Sequence, residues 1–234
     1  MCPGTSRATE TGYSVVGSEE RIRSNMKVRH RGYEPRVDAS VYVAPTAVLV
    51  GNVEVGARAR VMYGAILDSE ASTISIGDDS IVCENAVIRA TAQGGTPHPV
   101  MIADHVFIGP HATVLGCTLA RCVYVATGAT ILQGAEVGPG SVVAVGALVH
   151  ANTVVPEGTF IPPCNIAIGN PVKIYAPGDE NLIAAIKSIG FPSTAFGVKP
   201  DPTDRLAVCR GATEARSREF EAHLSDEVLD EKPS

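Results

Sequence analysis

Residues 119–149 read LARCVYVATGATILQGAEVGPGSVVAVGALV, and the spacing inside that stretch decides the fold. Aliphatic side chains recur at every sixth position: Leu119, Val125, Ile131, Val137, Val143 and Val149. Four residues after most of them stands something small, as at Ala129, Ala135, Ser141 and Ala147. An α-helix needs a period near 3.6 and is disfavoured by so many β-branched residues and glycines. A hairpin sheet alternates with a period of two and turns about every 8 to 12 residues. A period of six fits neither.

The same period runs outward in both directions. Upstream it passes through Val43, Leu49, Val55, Val61 and Leu67, then Ile76, Val82 and Ile88, then Ile102, Ile108 and Val114; downstream it reaches Val155 and Ile161. All nineteen positions are Val, Ile or Leu. Small residues follow four positions later at Ala47, Ala59, Ala65, Ser80, Ala86 and Ala112, and glycine follows directly at Gly56, Gly77, Gly109 and Gly138. Internal repetition on this scale predicts an all-β solenoid. Each hexad is one short strand plus a corner, and three hexads close a triangular coil with the aliphatics inside. Nineteen hexads predict about six coils at roughly 4.8 Å per coil. The period breaks three times. Leu67 to Ile76 spans nine positions, Ile88 to Ile102 spans fourteen and extrudes RATAQGGTPHPVM, and Val114 to Leu119 is one short. Loops pushed from a rigid scaffold are where function concentrates.

Composition narrows the function classes. The 234 residues are 45% hydrophobic but only 5% aromatic, with no Trp, as suits a narrow aliphatic interior. A net charge of −6 without a Lys/Arg run predicts no nucleic-acid partner and no anionic-membrane partner. Six cysteines without a CxxC pair read as reduced thiols, and the absence of a long apolar stretch predicts a cytoplasmic protein. Four segments are expected. Residues 1–37 form an N-terminal extension, its first part disordered, with Met26 as an alternative start; 38–176 form the prism. Residues 177–200 hold a helix and return, with Asp179 as N-cap, Leu182, Ile186 and Ile189 on one stripe, and Gly190 and Pro192 as the stop. Residues 201–234 form a charged tail, expected to be solvated.

Over residues 43–175 the chain resembles the γ-class carbonic anhydrase-like branch of the hexapeptide-repeat proteins. The resemblance rests on VMYGAILDSE (61–70), SIGDDSIVCENAVIRA (75–90), the run 106–149 that opens VFIGPHATVLGCT, and the closing AIGNPVKI (167–174). It implies a left-handed parallel β-helix with a C-terminal α-helix, and a homotrimer that holds zinc between subunits on three histidines. Carried over one position at a time, those histidines fall on Arg89, Pro110 and Leu115. The family's Gln-Asp pair near the zinc falls on Cys83 and Glu84, and its Arg-Gly-Asp falls on Asp68, Ser69 and Glu70. Arginine has no lone pair to donate, and proline and leucine offer no ligand atom, so no metal is expected at the standard positions.

In the coil register Arg89 and Leu115 share a face one coil apart, whereas Pro110 belongs to the preceding face. A site using all three must therefore lie between subunits. His105 and His111 fall three residues after inward aliphatics, outward and near corners, and His98 rides the extruded loop. His150 shares the face of Arg89 three coils away and reads as structural or solvated. The leading expectation is a small anionic ligand in the subunit cleft, bound by Arg89, His98 and Cys83, with His111 and Glu84 as candidate catalytic groups. No cofactor is firmly implied; a relocated zinc is one alternative. Two rival functions are an acyl-CoA-dependent acyltransferase using His98 as base and a non-catalytic scaffold.

Overall fold

A computed structural model describes residues 25–92, 96–199, 201 and 203–229. The expectations of N-terminal disorder and of a start at Met26 concern residues 1–24, which lie outside the described residues. The chain winds as a left-handed parallel β-helix with three faces. The first face stacks eight parallel strands from Met26–Arg29 to Ile166–Ile168, and the other two stack seven each. The second runs from Arg36–Val37 to Val154–Val155, the third from Tyr42–Val43 to Phe160–Ile161.

Of the nineteen hexad aliphatics, all but Val43 are buried, and Val43 packs partly buried against the same core. The small residues four positions on are buried as well, Ala47 through Ala147, with Ser80 and Ser141 among them. Bulk at these corners would push the coil open. Between aliphatic and small residue, the third position of most hexads takes a left-handed backbone. Glycine fills it at Gly64, Gly128, Gly134, Gly140, Gly146 and Gly158, while Arg58, Asp79, Asn85, His105, His111, Cys122, Asn152 and Cys164 adopt it with side chains. That conformation turns the chain through the corner and sends the side chain outward.

The prism is longer than the about six coils expected. Val28 and Val37 extend the interior by a further coil, which the hexad count misses because a turn, His30 to Tyr33, is inserted between them. Val28 to Val37 spans nine positions, as Leu67 to Ile76 does. Both edges of the first face are closed by antiparallel strands. Lys173–Tyr175 covers Ile166–Ile168, and Glu227–Leu229 covers Met26–Arg29 with Val28 opposite Val228. These strands cap backbone groups that an open edge would leave unpaired.

Helix α1 (Leu182–Ser188) begins three residues after Asp179, whose carboxylate instead accepts the Asn181 N–H at 2.8 Å. Leu182 is its buried anchor, and Gly190, left-handed, ends it ahead of α2 (Phe191–Phe196). The segment expected to be a solvated tail is structured through residue 229. Helix α3 (Arg205–Phe220) is capped by Asp204, which accepts the Ala207 N–H at 2.9 Å. A 3-10 turn, Glu221–Ser225, then leads into the edge strand Glu227–Leu229. Some of its charges have partners: Glu227 pairs with Arg29, and Glu219 with Arg216.

Because Ile108 is fully buried in mid-prism, Ile108→Ala is expected to cost about 2–5 kcal/mol, read as a lower urea midpoint with an unchanged slope.

Candidate functional site

Leu67 and Ile88 point inward, so Asp68 and Arg89, one position on, point out of the first face. In-register pairing sets Arg89 between Asp68 on one rung and Leu115 on the next. The predicted adjacency of positions 89 and 115 is therefore what the ladder shows. After Asp68 the chain leaves the prism through the nine-position break. Asp68 accepts the Glu70 N–H at 3.0 Å, and Glu70 takes a left-handed backbone that folds its carboxylate back onto Arg89. The Arg89 fork bonds Glu70, while its Nε lies 3.8 Å from Asp68. Ser69, buried beside them, accepts the Asn52 N–H at 2.8 Å. A Cβ on Gly51 would meet the Ser69 hydroxyl at 2.5 Å, so glycine is what lets this excursion close against the rung below.

The C-terminal arm completes the cluster. Phe220 covers the Arg89 guanidinium at 4.7 Å, a cation–π contact strengthened by partial desolvation. His223 and His30 stack at 4.3 Å, and Asp226 bridges them, 2.6 Å from His30 Nδ1 and 2.8 Å from His223 Nδ1. Burial pushes the Asp226 carboxyl up, but its bonds to His223 and His30 outweigh that and hold it below the usual carboxylate range. Burial pushes Asp68 up, against the pull of Arg89. The same burial lowers Arg89.

The residues singled out from sequence separate into three places. Arg89 belongs to the cluster just described, and its carboxylate partners within the chain are Glu70 and Asp68. Cys83 and Glu84 line an open groove of about 690 Å³ on the third face with Tyr42, Arg60 and Met62. Burial and the neighbouring Glu84 raise the Cys83 thiol, which disfavours the nucleophilic thiolate. His111 is exposed at the corner between the third and first faces, and its N–H donates to the Glu84 carbonyl at 2.9 Å. Its left-handed backbone is shared by nine other described non-glycine residues, so it is corner geometry and not a mark of function. His105 is exposed at an equivalent corner. His98 is half-buried where the extruded loop closes by a bridge to Thr91, and it packs over Gly116, whose Cβ would meet the His98 Cβ at 2.6 Å. Burial lowers the His98 imidazole. His150 is buried, accepts the Ala151 N–H on Nδ1 at 2.9 Å, and meets the edge of Phe191 in α2, a structural role.

The residues onto which the resemblance carries the zinc histidines do not fit the metal. Arg89 is a cation engaged with two carboxylates, Pro110 offers no side-chain donor, and Leu115 presents hydrocarbon. His30, His223, Asp226 and Phe220 carried no sequence signal as a site. They come from opposite ends of the chain, and only the pairing of Glu227–Leu229 with Met26–Arg29 brings them together.

Comparison with known proteins places this geometry in a class and then in a family. A hexapeptide transferase family protein from Anaplasma phagocytophilum superposes with a TM-score of 0.51 at 22% identity, covering 80% of this chain and 94% of that one. That likeness shows the hexapeptide-repeat fold. A probable carbonic anhydrase of Methanocaldococcus jannaschii is 38% identical over 151 residues, 64% of this chain and 89% of that protein. Mitochondrial gamma carbonic anhydrase 2 of Arabidopsis thaliana is 33% identical over 139 residues, 56% of this chain and 50% of that protein. The chain belongs to the γ-carbonic anhydrase-like family. It spans half or less of the length of the plant and Dictyostelium relatives it matches first. No family model matches the sequence.

Arg89→Met leaves Asp68 and Glu70 facing each other without their cation. A loss of about 3 kcal/mol is expected, the low end for breaking a buried pair, measured by urea unfolding. His111→Gly relieves a left-handed side-chain residue. Stability is expected to stay level or rise by up to about 1 kcal/mol, and a large loss would show that the imidazole has a structural partner.

Proposed function

We propose that this protein is a trimer-forming γ-carbonic anhydrase-like subunit that has exchanged the zinc site for an ion-pair lock and does not hydrate CO₂ through a zinc hydroxide at the inherited positions. The observation that carries this reading is the Arg89 guanidinium, bonded to Glu70, faced by Asp68 and covered by Phe220. A fixed cation there opposes a metal ion electrostatically, and neither Pro110 nor Leu115 can compensate.

Trimer formation is supported by the asymmetry of the prism. On the third face Tyr42, Ile81, Phe107, Tyr124, Val142 and Phe160 stand in one outward column, interrupted only by Arg60. The equivalent column of the second face is mostly polar, running Arg36, Glu54, Ser75, Met101, Thr118, Glu136 and Val154. A long apolar stripe of this kind marks an association surface. Arg89 is committed within its own chain, so a small carboxylate in the subunit cleft would be met by His98 and His111. Among the described residues no helix is long and apolar enough to cross a membrane.

Sedimentation and CO₂-hydration assays on one tag-free, zinc-supplemented preparation test this reading together. A mass three times that of the chain with hydration at the uncatalysed rate is expected. A monomer, or hydration orders of magnitude above background, would contradict it.

A second reading rests on His98. Its burial favours the neutral imidazole at pH 7, the form a general base needs, and it sits at an extruded loop of the prism. Acyl transfer from an acyl-CoA is then the reaction class. Calorimetry with acetyl-CoA should give saturable binding or product formation that His98→Ala abolishes, and the absence of any heat rules this reading out.

A further inference from the structure

The cluster beneath the C-terminal arm carries more negative charge than Arg89 neutralises. Asp68, Glu70 and Asp226 set three carboxylates against one guanidinium, which leaves two negative charges when both imidazoles are neutral. The donor atoms are also aimed at one another. With Asp226 ionised, the close contacts at 2.6 and 2.8 Å require Nδ1 of His30 and of His223 to be the N–H donors. His223 Nε2 faces the Glu70 oxygen that Arg89 bonds, 3.5 Å away; the ring satisfies both carboxylates as an imidazolium and offers Nε2 to a metal ion once that proton leaves. Glu70 is 2% exposed, and its Oε2 is buried without a hydrogen-bond partner among the described residues. One oxygen each from Asp68 and Glu70 and a nitrogen of His223 lie within 4.8 Å of one another. That is close enough for side-chain rotation to bring all three onto a shell of about 2.0–2.2 Å.

We propose that Asp68, Glu70 and His223 bind one divalent transition-metal ion of the zinc class, with Asp226 orienting His223 from the far side of the ring. One nitrogen and two carboxylate oxygens are an ordinary donor set for such ions. The His223–Asp226 contact is the outer partner that fixes the tautomer of a metal-binding histidine. A dication cancels the two unbalanced charges and separates His223 from Glu70. Arg89 keeps its bond to Glu70 and limits the ion's affinity by repulsion. Two of the donors sit on the prism and the third on the arm, so the site exists only when Glu227–Leu229 is docked, and the ion fastens the arm over Arg89. This site lies apart from Pro110 and Leu115 but uses the carboxylates that hold Arg89, so it rests on the same cluster as the function proposed above; loss of Zn²⁺ binding alone leaves that function, tested by sedimentation and CO₂ hydration, standing.

Chelator-stripped, tag-free full-length protein is titrated with Zn²⁺ by calorimetry and with Co²⁺ by visible absorption, beside His223→Ala, Glu70→Gln and, as a control, His111→Ala. Exchange protection of the Glu227–Leu229 amides is followed by mass spectrometry. The expected result is one equivalent per chain, unchanged in His111→Ala and weakened at least tenfold in His223→Ala and Glu70→Gln. Zn²⁺ should increase arm protection in the wild type and His111→Ala only. The conservative Glu70→Gln keeps the test meaningful should His223→Ala unfold the arm. Absence of saturable binding, or binding indifferent to both His223 and Glu70, overturns the proposal.

Discussion

Parallel in-register stacking of one rung on the next is the constraint on which the rest of the molecule depends. Each strand hydrogen-bonds to the strands above and below, so a residue's neighbours on a face are fixed by the ladder, about 4.8 Å away. The interior tolerates only aliphatic side chains and the corners only small ones, which leaves no freedom to slip by one residue. A slip would turn every inward side chain outward. Asp68, Arg89 and Leu115 meet because Leu67, Ile88 and Val114 are locked inside the prism. The chemistry of the site follows from that alignment.

By resemblance, the family's Arg-Gly-Asp falls on Asp68, Ser69 and Glu70, and one of its histidines falls on Arg89. Arg89 is satisfied within the chain by Glu70 and Asp68. The arm then covers the result: Phe220 lies over the guanidinium, and His223 and Asp226 fasten the turn that follows. The arrangement favours cations at its rim and leaves Arg89 little capacity to receive an anion.

Much of this was legible in the sequence. The period of six is enforced at every coil, so nineteen hexads sufficed to place the interior and to set position 89 beside 115. That Arg89, Pro110 and Leu115 offer no metal ligand was legible too, since ligand chemistry depends on residue identity alone. The first coil was not, because the His30–Tyr33 turn breaks the period at Val28. The partners of Arg89 within the chain were not legible, since the left-handed turn at Glu70 that returns its carboxylate follows no repeat. The clasp was beyond reach for a different reason. His30 and Asp226 are 196 positions apart, and no local pattern links them. The charged composition of residues 205–229 reads as solvated surface unless the open edge of Met26–Arg29 is seen waiting for a strand.

The central claim is that Arg89 and the buried Glu70 form a mutually dependent pair on the first face. A double-mutant cycle measures that dependence directly. With Arg89→Met, Glu70→Gln and the double variant unfolded in urea under identical conditions, a coupling of about 2 kcal/mol or more is predicted, the double variant being far less destabilised than the two single losses summed. Strict additivity would mean that the two side chains do not interact and that Arg89 is free for another role.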